Sequence, residues 1–170
     1  QDEPAMRAAA CWLAAAQDSQ SDGGFSGRYK LASGWSSSYP ETTGYIIPTL
    51  LRLPDLWDEP QWHDRAARAI DFLLGLQLPD GAFPGGEVLE NRTAPSPFNS
   101  AQILHGLTHW VSTTGDTRAR AAAERCAAWL VSMQDADGAF RRHFYLDVAA
   151  TYSAYLSCWL AKYGATFGDS

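Results

Sequence analysis

One pattern occurs three times in this chain and restricts it to a repeat architecture. Trp12-Leu13-Ala14-Ala15-Ala16-Gln17 aligns with Phe72-Leu73-Leu74-Gly75-Leu76-Gln77 and with Trp129-Leu130-Val131-Ser132-Met133-Gln134. Each copy leads into a turn that ends on an aromatic: Asp22-Gly23-Gly24-Phe25, Asp80-Gly81-Ala82-Phe83 and Asp137-Gly138-Ala139-Phe140. An arginine precedes each aromatic-Leu pair, at Arg7, Arg68 and Arg125. The glutamines are spaced by 60 and then 57 residues, which is room for two helices and a substantial loop.

The repeated segments have the composition of surface helices. Arg65-Ala66-Ala67-Arg68-Ala69-Ile70 combines high helix propensity with apolar residues at helical spacing. A turn glycine can take the left-handed conformation that ends a helix. The glutamine amide offers donors and an acceptor to unsatisfied helix ends, and the aromatic covers that polar bridge. After each turn comes a second helical stretch, near 39–51, 97–107 and 151–160, with few charges and apolar residues on most sides. Charged outer helices alternating with nearly uncharged inner ones describe an all-α chain. It reads as a single domain over 1–170, three αα-hairpins (about 4–54, 60–115 and 116–165) forming half of an α/α toroid.

Composition narrows function. The net charge of −6 argues against nucleic acid as a partner. No apolar run reaches the roughly 18 residues of a membrane span, and Gln1-Asp2-Glu3-Pro4 does not read as a signal peptide. Cys11, Cys126 and Cys158 lie far apart in apolar helical stretches, which reads as buried, reduced thiols in a cytoplasmic protein. Their spacing holds no zinc signature, and no cofactor is expected. Asn91-Arg92-Thr93 is formally a glycosylation sequon, which in a cytosolic chain is chance. The run Asp18-Ser19-Gln20-Ser21-Asp22-Gly23 imitates the start of an EF-hand, but position twelve is Tyr29, which excludes that calcium loop.

The series Arg, aromatic-Leu-x3-Gln, Asp-Gly-x-aromatic resembles the QW-type repeat of squalene cyclases and protein prenyltransferases, with Phe25, Phe83 and Phe140 in place of the family's tryptophan. The stretch Trp35-Ser36-Ser37-Ser38-Tyr39-Pro40-Glu41-Thr42-Thr43-Gly44-Tyr45-Ile46-Ile47-Pro48-Thr49-Leu50 is also similar to longer bacterial relatives from exopolysaccharide gene clusters. Class II terpene cyclases of this superfamily protonate an alkene with the central acid of Asp-x-Asp-Asp-Thr. The nearest match is Asp147-Val148-Ala149-Ala150-Thr151, in which alanines stand at the acid and its neighbour, so cyclisation is not expected. Protein prenyltransferases need a zinc-bound thiolate, against which the cysteine spacing speaks.

The resemblance implies a pocket lined by inner-helix starts and the loops before them. Aligned on Gly44-Tyr45, Ala101-Gln102 and Ala154-Tyr155, the inner helices make Tyr45, Gln102 and Tyr155 equivalent, and one turn earlier Thr42, Asn99 and Tyr152. Hydroxyls, amides and aromatic faces in such a ring resemble a carbohydrate site. The same residues would equally satisfy polar groups inside a core. Trp35, Arg92 and Asp147 join them as candidate contacts to a sugar or uronic-acid ligand, with Arg28 and the Arg141-Arg142-His143 loop as further anion contacts. Glu41, beside Tyr39, is a candidate general acid or base for lyase, epimerase or hydrolase chemistry. Ser38-Tyr39-Pro40-Glu41 also reads as a capping box, in which the helix N-terminus would lower the carboxyl pKa. Gly44 and Pro48, four apart, suggest a kinked helix. His105 and His109 have the spacing of two metal ligands, and without a third they read as an interhelical polar contact.

Three functions remain open on the sequence. They are a carbohydrate-active or polysaccharide-associated protein, a terpenoid-binding protein with a dry apolar cavity, and a noncatalytic scaffold. Three hairpins leave two apolar flanks, so a homodimer or a missing second half is expected to complete the ring.

Overall fold

A computed structural model describes residues 2–88, 94–144 and 151–168. Arg92 and Asp147, and with them the Asn91 sequon and most of the Asp147–Thr151 segment, lie outside the described residues. The helices are α1 (Glu3–Asp18), α2 (Pro40–Trp57), α3 (Gln61–Leu76), α4 (Pro97–Thr114), α5 (Thr117–Met133) and α6 (Tyr155–Phe167), the last preceded by a 3-10 turn at Thr151–Ala154. Two short antiparallel strands, β1 (Tyr29–Lys30) and β2 (Gly34–Trp35), decorate the first loop with Tyr29 opposite Trp35.

Helices α2, α4 and α6 form the inner layer. α4 packs against both of the others, while α3 backs α2 and α5 backs α4. The core lies between the layers and is built from Ile47, Leu50, Ile70, Leu73, Ile103, Leu104, Leu107 and Leu130, all essentially inaccessible. α2 and α4 cross very closely. A Cβ on Gly44 would lie 2.7 Å from the Ile103 Cα, and one on Gly106 would lie 2.3 Å from the Gly44 carbonyl oxygen. The two glycines therefore let two backbones meet, and α2 runs unbroken through Pro48 and Pro54. α6 departs from the expectation of a buried inner helix: only Leu156 is buried along it, because nothing among the described residues packs on its far side.

The repeated turns share one geometry. Gly23, Gly81 and Gly138 all have positive φ (87°, 97° and 87°). Asp22, Asp80 and Asp137 each accept a hydrogen bond from the backbone N–H two residues on, at 2.9, 3.1 and 3.2 Å. Phe25 and Phe83 are buried, and their N–H groups donate to Thr43 Oγ1 and Ser100 Oγ, each at 2.9 Å. The left-handed glycine sits within the turn and does not end the helix; α3 and α5 end on extended Gln77 and Gln134.

The glutamine stitches each repeat to the next. Gln17 Nε2 donates to Gly23 O at 2.9 Å and to Arg65 O of α3 at 3.0 Å. Gln77 Nε2 does the same to Gly81 O at 3.1 Å and to Ala122 O of α5 at 2.8 Å. Among the described residues Gln134 Nε2 reaches only Gly138 O, at 3.0 Å. Arg68 and Arg125 donate to the Gln17 and Gln77 Oε1 atoms. Arg7 does not share that role: it pairs with Glu3 and Glu59 and covers the Trp57 ring, so the expected equivalence of the three arginines fails in the first repeat.

Candidate functional site

The exposed face of the inner layer collects the residues with chemistry. On α2 the positions turned away from the core include Tyr45, Thr49 and Arg52, three and four residues apart. On α4 they include Gln102, His105 and His109, and on α6 Tyr155, Trp159 and Lys162. Tyr45 is 44% exposed and Tyr155 57%, while Gln102 is half-buried. The N-caps Tyr39 and Ser96 place Tyr45 and Gln102 at the same step of their helices, as the sequence alignment requires.

One turn further along, the three helices share a cleft of about 670 Å³, with Thr49, Arg52, His105, His109 and Lys162 among its walls. The His105 ring stacks on Trp159 with centroids 3.6 Å apart, and Lys162 Nζ lies 2.7 Å from His109 Nε2. The histidine pair is thus an interhelical contact between α4 and α6. Burial is the main reason that both histidines titrate low; His109 and Lys162 add to it at His105, which falls to about 4, and Lys162 and Arg52 add to it at His109. Among the described residues no three His, Cys, Asp or Glu side chains converge to hold a metal ion.

Glu41 and Tyr39 stand together at the start of α2. Pro40 is the first helical residue, so the cap is Tyr39 and the box proposed for Ser38 does not form. Ser38 is buried, and its hydroxyl donates to Asp22 Oδ1 at 2.7 Å instead, tying the inner helix to the turn. Glu41 is half-buried, and desolvation raises its pKa against the opposing pull of a hydrogen bond from Tyr39. The expected lowering by the helix N-terminus is therefore reversed, because loss of water outweighs it here.

The other candidates separate. Asn99 is buried at the start of α4, where it accepts from the Ser96 hydroxyl at 3.1 Å and donates to Pro84 O at 3.4 Å; it serves the helix start. Tyr152 is half-exposed and meets Phe98 and Phe144 edge-on, at 5.3 and 6.2 Å between centroids. Trp35 belongs to an aromatic cluster with Trp12 and Tyr29, its ring centroid 4.7 and 5.0 Å from theirs. Arg28 is paired with Glu87, and Arg141 with Asp135 and Asp137, so these arginines are already neutralised. Cys126 is buried, its Sγ 3.4 Å from Ser100 O, and burial pushes its thiol pKa up. Cys11 and Cys158 are exposed, contrary to expectation, because each faces outward from a helix at an unpacked side.

Arg52, Lys162 and Trp159 were not singled out from the sequence. Their signal is the stripe of polar or aromatic residues at three- and four-residue spacing on otherwise apolar helices, visible only once the packed side of each helix is known.

No helix among the described residues is long and apolar enough to cross a membrane. Comparisons with curated proteins and with solved structures gave no significant match. A model of the prenyltransferase alpha-alpha toroid domain matches residues 36–167, from just after β2 to the end of α6. The helical hairpins, the repeated turns and this match together make the chain a member of the prenyltransferase alpha-alpha toroid domain family.

Proposed function

We propose that the exposed face of α2, α4 and α6 binds a saccharide, of the kind used in building or modifying a polysaccharide. The observation that carries this reading is the set Tyr45, Gln102 and Tyr155, one residue from each inner helix and equivalent in the repeat alignment, with both tyrosines exposed and Gln102 half-buried. Tyrosine offers a flat apolar face to a pyranose ring with a hydroxyl at its edge, and the amide pairs with sugar hydroxyls. Glu41, one turn before Tyr45, supplies the acid–base group: a carboxyl with a raised pKa suits proton donation to a leaving oxygen. The chain gives poor support to the prenyltransferase chemistry of its relatives. Cys126 is enclosed and Cys11 and Cys158 stand apart on helix surfaces, so the thiols do not fit a zinc centre, and no step is derived through one. A terpenoid reading asks for an enclosed dry cavity. The main apolar recess among the described residues is an open groove between α1 and α2 that also carries Arg52 and Asp55.

Titration of the labelled protein with uronic-acid and neutral oligosaccharides tests the reading. Shifts of the Tyr45, Gln102 and Tyr155 signals are expected. No shift at high millimolar sugar would remove it. For catalysis, Glu41→Gln should abolish turnover of a cleaved or epimerised oligosaccharide while leaving its binding intact.

A second reading has its own observation. Gly23 and Gly81 sit 2.9 and 2.6 Å (as a Cβ would) from the Arg68 and Arg125 carbonyls of the next outer helix, whereas Gly138 has no neighbouring helix against it. Ser153 Oγ, at the step of Thr43 and Ser100, is buried with no hydrogen-bond partner among the described residues. The edge of α5 is therefore shaped for another outer helix, and a second copy of the chain would bring one. Light scattering tests this: a dimer at micromolar concentration is expected, and a strict monomer would refute it.

A further inference from the structure

We propose that Arg52 and Lys162, facing one cleft from α2 and α6, form a clamp for the carboxylate of an acidic sugar. The proposal rests on the saccharide reading above and names the substrate class. Both cations line the cleft of about 670 Å³, and among the described residues neither forms an ion pair with a carboxylate. Most other arginines of the chain are paired in this way, so two unpaired cations at one place stand out in a protein of net charge −6.

The neighbouring groups define the ligand's charge. Burial, then Lys162 and Arg52, lower the His109 pKa, so the imidazole disfavours a charge of its own; its Nε2 meets the Lys162 ammonium at 2.7 Å. His105 is held neutral by burial, with His109 and Lys162 adding to it, at a pKa of about 4. The acidic residue on the cleft wall is Asp55. Two positive charges less one negative leave one positive charge, which matches a single carboxylate and underpays a phosphate dianion. The Arg52 guanidinium can take both carboxylate oxygens in parallel, and the ammonium adds a third donor. His105 Nδ1 and Trp159 Nε1, stacked beside this cleft, are buried and have no hydrogen-bond partner among the described residues. The clamp lies one to two turns beyond the Tyr45–Gln102–Tyr155 row, so one acidic oligosaccharide can lie along both.

The experiment follows the His105 and His109 imidazole signals while glucuronate, its neutral methyl ester and inorganic phosphate are titrated separately. Glucuronate is expected to move both signals and the ester to leave them unmoved. Arg52→Gln and Lys162→Gln are each expected to weaken glucuronate binding about tenfold, with Lys162→Arg retaining it. Both positions are exposed, and unchanged thermal unfolding verifies that the variants fold. Equal binding of acid and ester, or phosphate binding tighter than glucuronate, overturns the clamp. If glucuronate shifts Tyr45 and Tyr155 without moving the histidines, the saccharide reading survives and the clamp alone is lost. If neither sugar binds, both fall.

Discussion

Replacing each repeat glutamine by alanine should produce a graded series of losses, large at Gln17 and small at Gln134. Gln17 is 2% exposed and donates two hydrogen bonds to backbone carbonyls, at 2.9 and 3.0 Å. Its Oε1 accepts from Arg65 and Arg68, each at 3.1 Å. A buried hydrogen bond contributes about 0.5–1.5 kcal/mol net, so removing this set costs about 3 kcal/mol. For a chain of 170 residues that is a fall in Tm of about 6–12 °C. Gln77 keeps both carbonyl bonds but accepts from Arg125 alone and is half-buried, which places its cost at about 2 kcal/mol. Gln134 is exposed and makes one bond, to Gly138 O, worth about 0.5 kcal/mol. Urea unfolding followed by circular dichroism gives the three values, with the slope m reporting whether the unfolded reference has changed. Protein must be dilute enough to be monomeric, since a docked second copy would raise the value at Gln134. Equal losses at Gln17 and Gln134 would refute the stitch as the source of cohesion between repeats.

Other tests bear on different parts of the structure. Gly81→Ala should destabilise far more than Gly138→Ala in urea unfolding, because both strain a positive φ but only the former drives a Cβ to 2.6 Å from the Arg125 carbonyl oxygen. Under native conditions a thiol reagent should modify Cys11 and Cys158 rapidly and Cys126 only after unfolding; three fast thiols would contradict the packing at α5. Acid should weaken the fold between pH 6.5 and about 4 through His105. Its folded pKa is lower than its unfolded value, so the unfolded state takes up the proton first and stability falls as pH drops through that window. With the ring only half-buried the loss is no more than about 2 kcal/mol, and His105→Asn should flatten the pH profile of urea unfolding over that range.

The repeat was legible because its information is local. A glutamine, a left-handed glycine a few residues on and a buried phenylalanine just after it recur in the same order, and each does its work within a turn or against the neighbouring helix. What sequence could not supply is which surfaces meet. Ser38 reads as a cap from its spacing to Glu41, yet the helix begins one residue later at Pro40 and Asp22 captures the hydroxyl. Gly44 reads as a partner of Pro48, yet its role is set by Ile103 and Gly106 on another helix. Cys11 and Cys158 lie in apolar stretches, but exposure depends on whether a further helix covers those stripes. The site was half visible for the same reason. The alignment of inner helices brought out Tyr45, Gln102 and Tyr155, whereas Arg52 and Lys162 acquire meaning only when α2 and α6 are seen to border one cleft.

The most direct test of the central claim is a crystal structure of the protein soaked with a short uronic-acid oligosaccharide. The account predicts sugar rings over Tyr45 and Tyr155 on the inner-helix face, with a carboxylate between Arg52 and Lys162. Sugar found instead on the Trp12–Tyr29–Trp35 cluster, or in the apolar groove between α1 and α2, would contradict it.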